Sequence, residues 1–170
     1  GELANPSVSP LDRHLIAFES IVERVHRLWI KREGREKPFR VNPRIEKEEE
    51  VEDVFAKKPE SLEASYDGDL AWCPVPLTDR REIWFAFVSS GEAQNQDIYL
   101  GHANGREFIR LTKQLGIDHQ PCWSPTGKSL VYVSARRKIG GPEEPSDLYL
   151  IQDVADIVER YRENHPNIGD

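Results

Sequence analysis

Two stretches in the second half of the chain follow one pattern, and this internal repeat constrains the fold more than any other feature. The first runs Ala71-Trp72-Cys73-Pro74, then Phe85-Ala86-Phe87-Val88-Ser89-Ser90, then Asp97-Ile98-Tyr99-Leu100. The second runs Cys122-Trp123-Ser124-Pro125, then Leu130-Val131-Tyr132-Val133-Ser134-Ala135, then Asp147-Leu148-Tyr149-Leu150. Corresponding residues lie 45 to 51 positions apart, and the variation falls between the apolar runs rather than inside them. Each run is short and rich in β-branched and aromatic residues, which is strand composition. Pro125-Thr126-Gly127-Lys128 is a turn, because Pro presets φ and Gly accepts positive φ. Asn104-Gly105 is a hairpin signal between Tyr99-Leu100 and Phe108-Ile109, so Glu107–Thr112 is predicted as a fourth strand. Gly140-Gly141-Pro142 interrupts the chain before the strand at Asp147–Ile151.

A period near 45–50 residues with three or four strands per unit matches one blade of a β-propeller. The element Leu111-Thr112, then Pro121-Cys122-Trp123-Ser124-Pro125-Thr126-Gly127-Lys128, resembles the repeat of TolB-type, WD-like β-propellers. In that family a Leu-Thr pair precedes a Pro-x-Trp-Ser-Pro-Asp-Gly-Lys element. A hydrophobic strand ending in Ser and an Asp-Ile-Tyr strand then follow. Thr126 stands where the family usually has Asp, and Pro74-Val75-Pro76-Leu77-Thr78-Asp79 lacks the Ser-Pro-Asp-Gly turn. The resemblance covers residues 65–153 and implies blade structure. It does not imply one activity, since such propellers serve binding, scaffolding and catalysis.

Upstream of the repeat, residues 1–64 read as an N-terminal helical region with a charged connector. Ser9 has the chemistry of an N-cap, Pro10 suits a first helical position, and Asp12 stands three after the cap. Leu11, Leu15, Phe18, Val22, Val25 and Trp29 follow at steps of three and four, with Ile21, Leu28 and Ile30 widening the stripe, which predicts an amphipathic helix. Its face at Leu15, Phe18, Val22, Val25 and Trp29 is the candidate interaction surface, docked either on its own domain or on a partner. Phe39 and Val41 alternate with polar neighbours and predict a short strand over 38–42. Residues 24–44 carry eight Lys or Arg against two Glu, and residues 46–53 carry six acids against one Lys. The blocks offset each other along a solvated connector, with a short helix through Ile45, Val51, Val54 and Phe55 and a phosphate-binding basic patch as alternatives. At the far end Asp153 is a candidate N-cap for a helix through Val154, Ile157, Val158 and Tyr161, stopped by Pro166.

With 170 residues, 38% hydrophobic and 31% charged, the chain is long enough to bury a core and too rich in charge and aromatics to be wholly disordered. No stretch approaches the roughly 20 apolar residues of a membrane helix. A net charge of −7 argues against nucleic acid as the main partner. Two cysteines exclude a disulfide-dense scaffold and a four-cysteine zinc site. Cys73 and Cys122 either pair or remain thiols. The chain opens on Gly1 and contains no methionine, which fits a mature product, a tagged form or a fragment, and a removed signal peptide would leave no trace.

No Gly-x-Ser-x-Gly elbow, phosphate loop or dinucleotide fingerprint occurs, and no cofactor, metal or catalytic group is expected. His14, His26, His102, His119 and His165 form no metal-spaced pair. His119, just before the Pro-Cys-Trp strand, is a candidate channel-side ligand position by resemblance to metal-binding lyase propellers. Asp67-Gly68-Asp69 lacks the spaced oxygens of a calcium loop and reads as a turn into a strand. Trp72, Trp123, Tyr99 and Tyr149 recur at matching places and read as packing.

The expected architecture is α+β: an N-terminal amphipathic helix, two antiparallel β-propeller-like blades over 65–153, and a C-terminal helix and tail over 154–170. Propellers carry about four to eight blades, and two isolated ones would leave an apolar face and a bare strand edge in water. A longer parent protein, capping by the two helices, or assembly of copies into a ring would each resolve this. The expected function is a non-enzymatic protein-interaction or scaffold module, binding a protein partner or itself, with no nucleic acid and no membrane span. The alternative is an accessory propeller portion of a larger hydrolase or lyase. The TolB resemblance implies a periplasmic or secreted location, with a cytoplasmic one still open.

Overall fold

The computed structural model describes residues 1–23, 25–42, 66–90, 95–136 and 145–166. Eleven strands and one helix follow one another in these segments. The first four, β1 (Glu2–Val8), β2 (Leu15–Val22), β3 (Val25–Arg32) and β4 (Phe39–Val41), form an antiparallel meander. The next four are β5 (Asp67–Trp72), β6 (Trp84–Ser90), β7 (Gln96–His102) and β8 (Phe108–Arg110), and they repeat that order. β9 (Gly116–Trp123), β10 (Leu130–Arg136) and β11 (Asp147–Ile151) make a third, shorter meander, and α1 (Val154–Asn164) follows it. A single parallel bridge, Gln96 to Ile117, joins the second meander to the third. We call the three units blades A, B and C.

The N-terminal amphipathic helix is not formed; Leu15–Arg32 is a hairpin of two strands. Ser9 Oγ does accept the amides of Leu11 and Asp12, but this cap-like turn feeds β2 instead of a helix. Val22 pairs with Val25, and Glu23 between them takes φ 50°, which closes the hairpin. The stripe misleads because both faces of this hairpin carry apolar groups, so a helical spacing can be picked out of a run with period two. Ile16, Ile21, Val22 and Val25 are β-branched and favour the extended form. The expected strand at 38–42 is present as β4, the fourth strand of the first repeat unit as β8, and the C-terminal helix as α1. The predicted short helix near Ile45–Phe55 and the acidic block lie outside the described residues.

The blades stack face to face around two cores. Leu15, Ala17, Leu28, Ile30 and Val41 of blade A meet Trp72, Phe85, Phe87 and Tyr99 of blade B. The opposite face of blade B, with Cys73, Trp84, Ala86, Val88, Ile98 and Leu100, meets Leu130 and Tyr132 of blade C and Val154 and Val158 of α1. Blade B is therefore covered on both sides. This is why Trp84–Val88 of β6 reads as an unbroken apolar run and why all seven residues of the strand are buried. Each fully buried Phe or Leu here contributes about 1.5–3 kcal/mol.

Asp153 occupies the N-cap position of α1 but makes no side-chain cap bond; its φ is 51°. The helix is held instead by tertiary contact. Arg162 bonds both Glu82 and Glu107 of blade B, and its guanidinium lies over the Trp84 ring. Among the described residues no strand pairs with the outer edge of β11, while β7, its counterpart in blade B, is paired there by β8. Asp97 is buried against Arg110, whereas the matching Asp147 is exposed and accepts the neighbouring Leu148 amide.

Candidate interaction faces

Each blade opens with a strand that is kinked in the same way. Register shifts interrupt β1 between Ala4 and Ser7, β5 between Gly68 and Ala71, and β9 opposite Val131 and Val133. Asn5, Asp69 and Gln120 sit at these breaks with φ of 49°, 51° and 54°. Such bulges re-aim the local backbone, here toward the preceding blade. The Asp69 amide donates to Glu19 Oε1 of blade A at 3.1 Å, and the Gln120 amide donates to Asp69 Oδ2 of blade B at 3.1 Å. Asp69 Oδ1 also accepts the Tyr66 hydroxyl at 2.8 Å. Burial, then that bond to Asp69, pushes the Tyr66 phenol well above its ordinary range. Glu19 is buried, and its other oxygen lies 3.5 Å from His26 Nδ1. This cluster of Glu19, His26, Tyr66 and Asp69 ties blade A to blade B, and Asp69 extends it to blade C.

The recurrent tryptophans form a second set of stitches. Trp72 Nε1 donates to the Ser7 carbonyl of blade A at 3.4 Å, and Trp123 Nε1 donates to the Ala71 carbonyl of blade B at 3.0 Å. Their rings pack in the cores, as the repeat implies, and their indole N–H groups also fix each first strand on the one before.

In blade B the back, facing blade A, carries Trp72, Phe85, Phe87 and Tyr99, while the front, facing blade C, is mainly aliphatic apart from Trp84. On the backs a cross-strand aromatic pair recurs in register: Phe18 with Trp29, Phe87 with Tyr99, and Tyr132 with Tyr149. The fronts of blades A and B carry Ala17 and Leu28, and Ala86, Val88, Ile98 and Leu100, all buried. On the front of blade C, Val131 pairs with Leu150 and Val133 with Leu148. Leu148 is 68% exposed and Leu150 56%.

The five residues singled out for interaction do not share one face. Leu15 points into the A–B core, while Phe18, Val22, Val25 and Trp29 share the back of blade A. There Val25 and Trp29 are buried, Trp29 donates to Ser20 Oγ at 2.9 Å, and Phe18 and Val22 are half-buried. His119 lies opposite Val133 on the front of blade C, and no group of three or more metal-type side chains occurs among the described residues. Asp67-Gly68-Asp69 is not a turn but the bulged start of β5, and its carboxylates are taken by Ser89, Tyr66 and Gln120. Cys73 is a buried free thiol raised by burial, and Cys122 is an exposed free thiol opposite Val131, so the two are not paired. The faces at Leu148–Leu150 and at the first-strand bulges escaped the sequence reading. The apolar alternation in Asp147–Ile151 was the available signal.

No protein-family model matches the chain. A 53-residue stretch is 38% identical to a putative Tricorn-like protease C-terminal subunit of Sulfurisphaera tokodaii, covering 31% of this chain and 6% of that protein. The fold is similar to TolB from Acinetobacter baumannii, with TM-score 0.53 and 17% identity over 89% of this chain and 30% of that one. It is also similar to a putative TolB from Agrobacterium tumefaciens, with TM-score 0.51 and 17% identity, covering 85% and 43%. The tricorn protease matches with TM-score 0.52 and 15% identity over 89% of this chain and 14% of its own. The chain thus spans less than half the length of each of these proteins, and what they share with it is a TolB-like propeller fold.

Proposed function

We propose that this segment of TolB-like propeller works as a non-enzymatic protein-interaction or scaffold module. One observation carries the reading: the front of blade C presents Leu148 and Leu150 to solvent, at the positions where blade B buries Ile98 and Leu100. Contiguous exposed apolar surface of this kind marks a site of protein contact. The first-strand clusters support a structural role, since their carboxylates are bonded to backbone amides of the next blade. A photo-crosslinking amino acid at position 150 is expected to capture polypeptide, and one at the exposed helical position 159 is not. Equal capture at both positions, or hydrolytic turnover by the purified protein, refutes the reading. The TolB-like fold also supports a periplasmic or secreted location, and cell fractionation tests it; among the described residues no helix is long and apolar enough to cross a membrane.

A second reading is an accessory propeller portion of a larger hydrolase. The local match to a putative Tricorn-like protease subunit favours it. Peptidase activity that appears only when this segment is joined to a separate catalytic domain would support it.

A further inference from the structure

We propose that the outer edge of β11 receives an extended segment of a partner polypeptide that reads apolar-Arg-apolar, pairs antiparallel with β11 and sets its Arg against Asp147. This rests on the scaffold reading and names the chemistry of its partner.

The molecule carries two examples of such a strand. Blades A and B each close on a short fourth strand that pairs antiparallel with the third. The sequence there is Phe39-Arg40-Val41 in blade A and Ile109-Arg110-Leu111 in blade B, apolar-Arg-apolar in both. The two take one register. Arg40 lies opposite Trp29 and Arg110 opposite Tyr99, the aromatic that each third strand gives to its cross-strand pair. The flanking apolar residues follow the front of the blade. Phe39 lies opposite Ile30, Ile109 lies opposite Leu100, and the Leu111 amide donates to the Ile98 carbonyl at 2.8 Å. Ile30, Ile98 and Leu100 are fully buried. Each Arg ends on a buried carboxylate, Arg110 on Asp97 at 2.6 Å and Arg40 on Asp67 at 3.6 Å.

Blade C holds the receiving half of this arrangement. Tyr132 pairs with Tyr149 as Phe87 pairs with Tyr99, and Ser134 pairs with Asp147 as Ser89 pairs with Asp97. Leu148 and Leu150 therefore stand where blade B has Ile98 and Leu100, yet they are 68% and 56% exposed. Among the described residues no strand pairs with that edge of β11, and no cation pairs with the exposed Asp147. Arg136 stacks over the Tyr149 ring instead, 3.9 Å from its centre. Residues 152–166 do not return along β11. The chain turns at Asp153 into α1, which Arg162 fixes to blade B. An unpaired edge presents backbone donors and acceptors to an incoming strand, whose side chains then set the selection. An Arg opposite Tyr149 makes at Asp147 the charge-assisted bond that Arg110 makes at Asp97. Its apolar neighbours come to lie beside Leu148 and Leu150.

The closing experiment is fluorescence anisotropy on the 170-residue chain with a labelled synthetic peptide copying residues 106–113. The peptide is expected to bind saturably, one per chain. Arg110→Glu in the peptide should weaken binding roughly ten-fold or more, the scale of one charged hydrogen bond. The Asp147→Lys chain should reverse the preference and take the Glu peptide better than the Arg peptide. Asp147 is exposed, so this variant keeps the fold. Exchange of the peptide for the chain's own β8 would ignore that variant. A peptide N-methylated at the Leu111 amide should not bind, because that N–H is the counterpart of a ladder bond. Absence of binding, affinity indifferent to the charge reversal, or binding that survives N-methylation overturns the proposal. Capture by the crosslinker at position 150 without peptide binding keeps the scaffold reading and overturns only this partner.

Discussion

Replacing Arg162 by Met isolates what holds α1 on blade B. Arg162 is 12% exposed and donates to Glu107 at 2.9 and 2.8 Å and to Glu82 at 2.8 and 3.0 Å. Glu107 is 2% exposed, so removing the guanidinium strands a buried carboxylate. Breaking a buried pair from one side costs roughly 3–5 kcal/mol, most of it the uncompensated charge and not the lost attraction. Met keeps the apolar stem over Trp84, so lost packing adds little. For a chain of this size about 2–4 °C of Tm follows each kcal/mol, which predicts a drop of roughly 6–20 °C. Far-UV circular dichroism and tryptophan fluorescence melts give the number, the latter because the guanidinium lies 5.4 Å from the Trp84 ring centre. The diagnostic step is a double-mutant cycle. In a Glu107→Gln background the same Arg162→Met change should cost less than half as much, because the stranded charge is gone. A loss below about 1 kcal/mol in the single variant, or an equal loss in both backgrounds, refutes the stranded-charge argument.

Other outcomes follow from neighbouring geometry. Gly101→Ala places a methyl 2.4 Å from the buried Phe85 ring and should lower stability by about 1–3 kcal/mol, read as a shifted urea midpoint. Burial pushes the Glu82 carboxyl up, but bonds from Arg162 and Thr78 outweigh it and hold the group below its ordinary 4.5. Its contribution is therefore complete above pH 4.5 and is lost as pH falls through the lower folded value; Glu82→Gln should flatten stability against pH in that acid window, and an unchanged slope contradicts the assignment. Trp123→Phe keeps most of the ring but leaves the Ala71 carbonyl without its indole donor, at a cost of about 1 kcal/mol in chemical denaturation.

Blades B and C were legible because their strands repeat one composition and several are bounded by a turn with a mechanism. Asn104-Gly105 makes the β7–β8 hairpin with Gly105 at φ 79°, and Gly127 takes φ 68° in the turn before β10. Blade A was legible only at β4, because its other strands lack the Trp-Ser-Pro turn and its hairpin is apolar on both faces. Leu15 and Ala17 serve one core while Ile16 and Phe18 face away, so apolar residues occur at every spacing and a helical one can be selected. The first-strand bulges were hidden for another reason. Asn5, Asp69 and Gln120 hold a left-handed backbone without being glycine, and only the amide-to-carboxylate bonds across blades account for the two that are bonded. Such bonds span 50 and 51 residues and leave no local trace. Of the five residues read as one helical face, Phe18, Val22, Val25 and Trp29 share a face of blade A through strand pairing, and Leu15 points to the other side.

The amide-to-carboxylate relay means that the repeats are not interchangeable cassettes. Glu19 supplies the acceptor at the first joint and Asp69 at the second, while Gln120 offers a neutral amide at the corresponding place. Transposing the second and third units would set a neutral Gln side chain where a carboxylate now receives a backbone N–H, exchanging a charge-assisted bond for an ordinary one. A permuted gene would keep every strand and turn yet lose the charged acceptor at that seam, so the order of the units is marked by single charges where they meet.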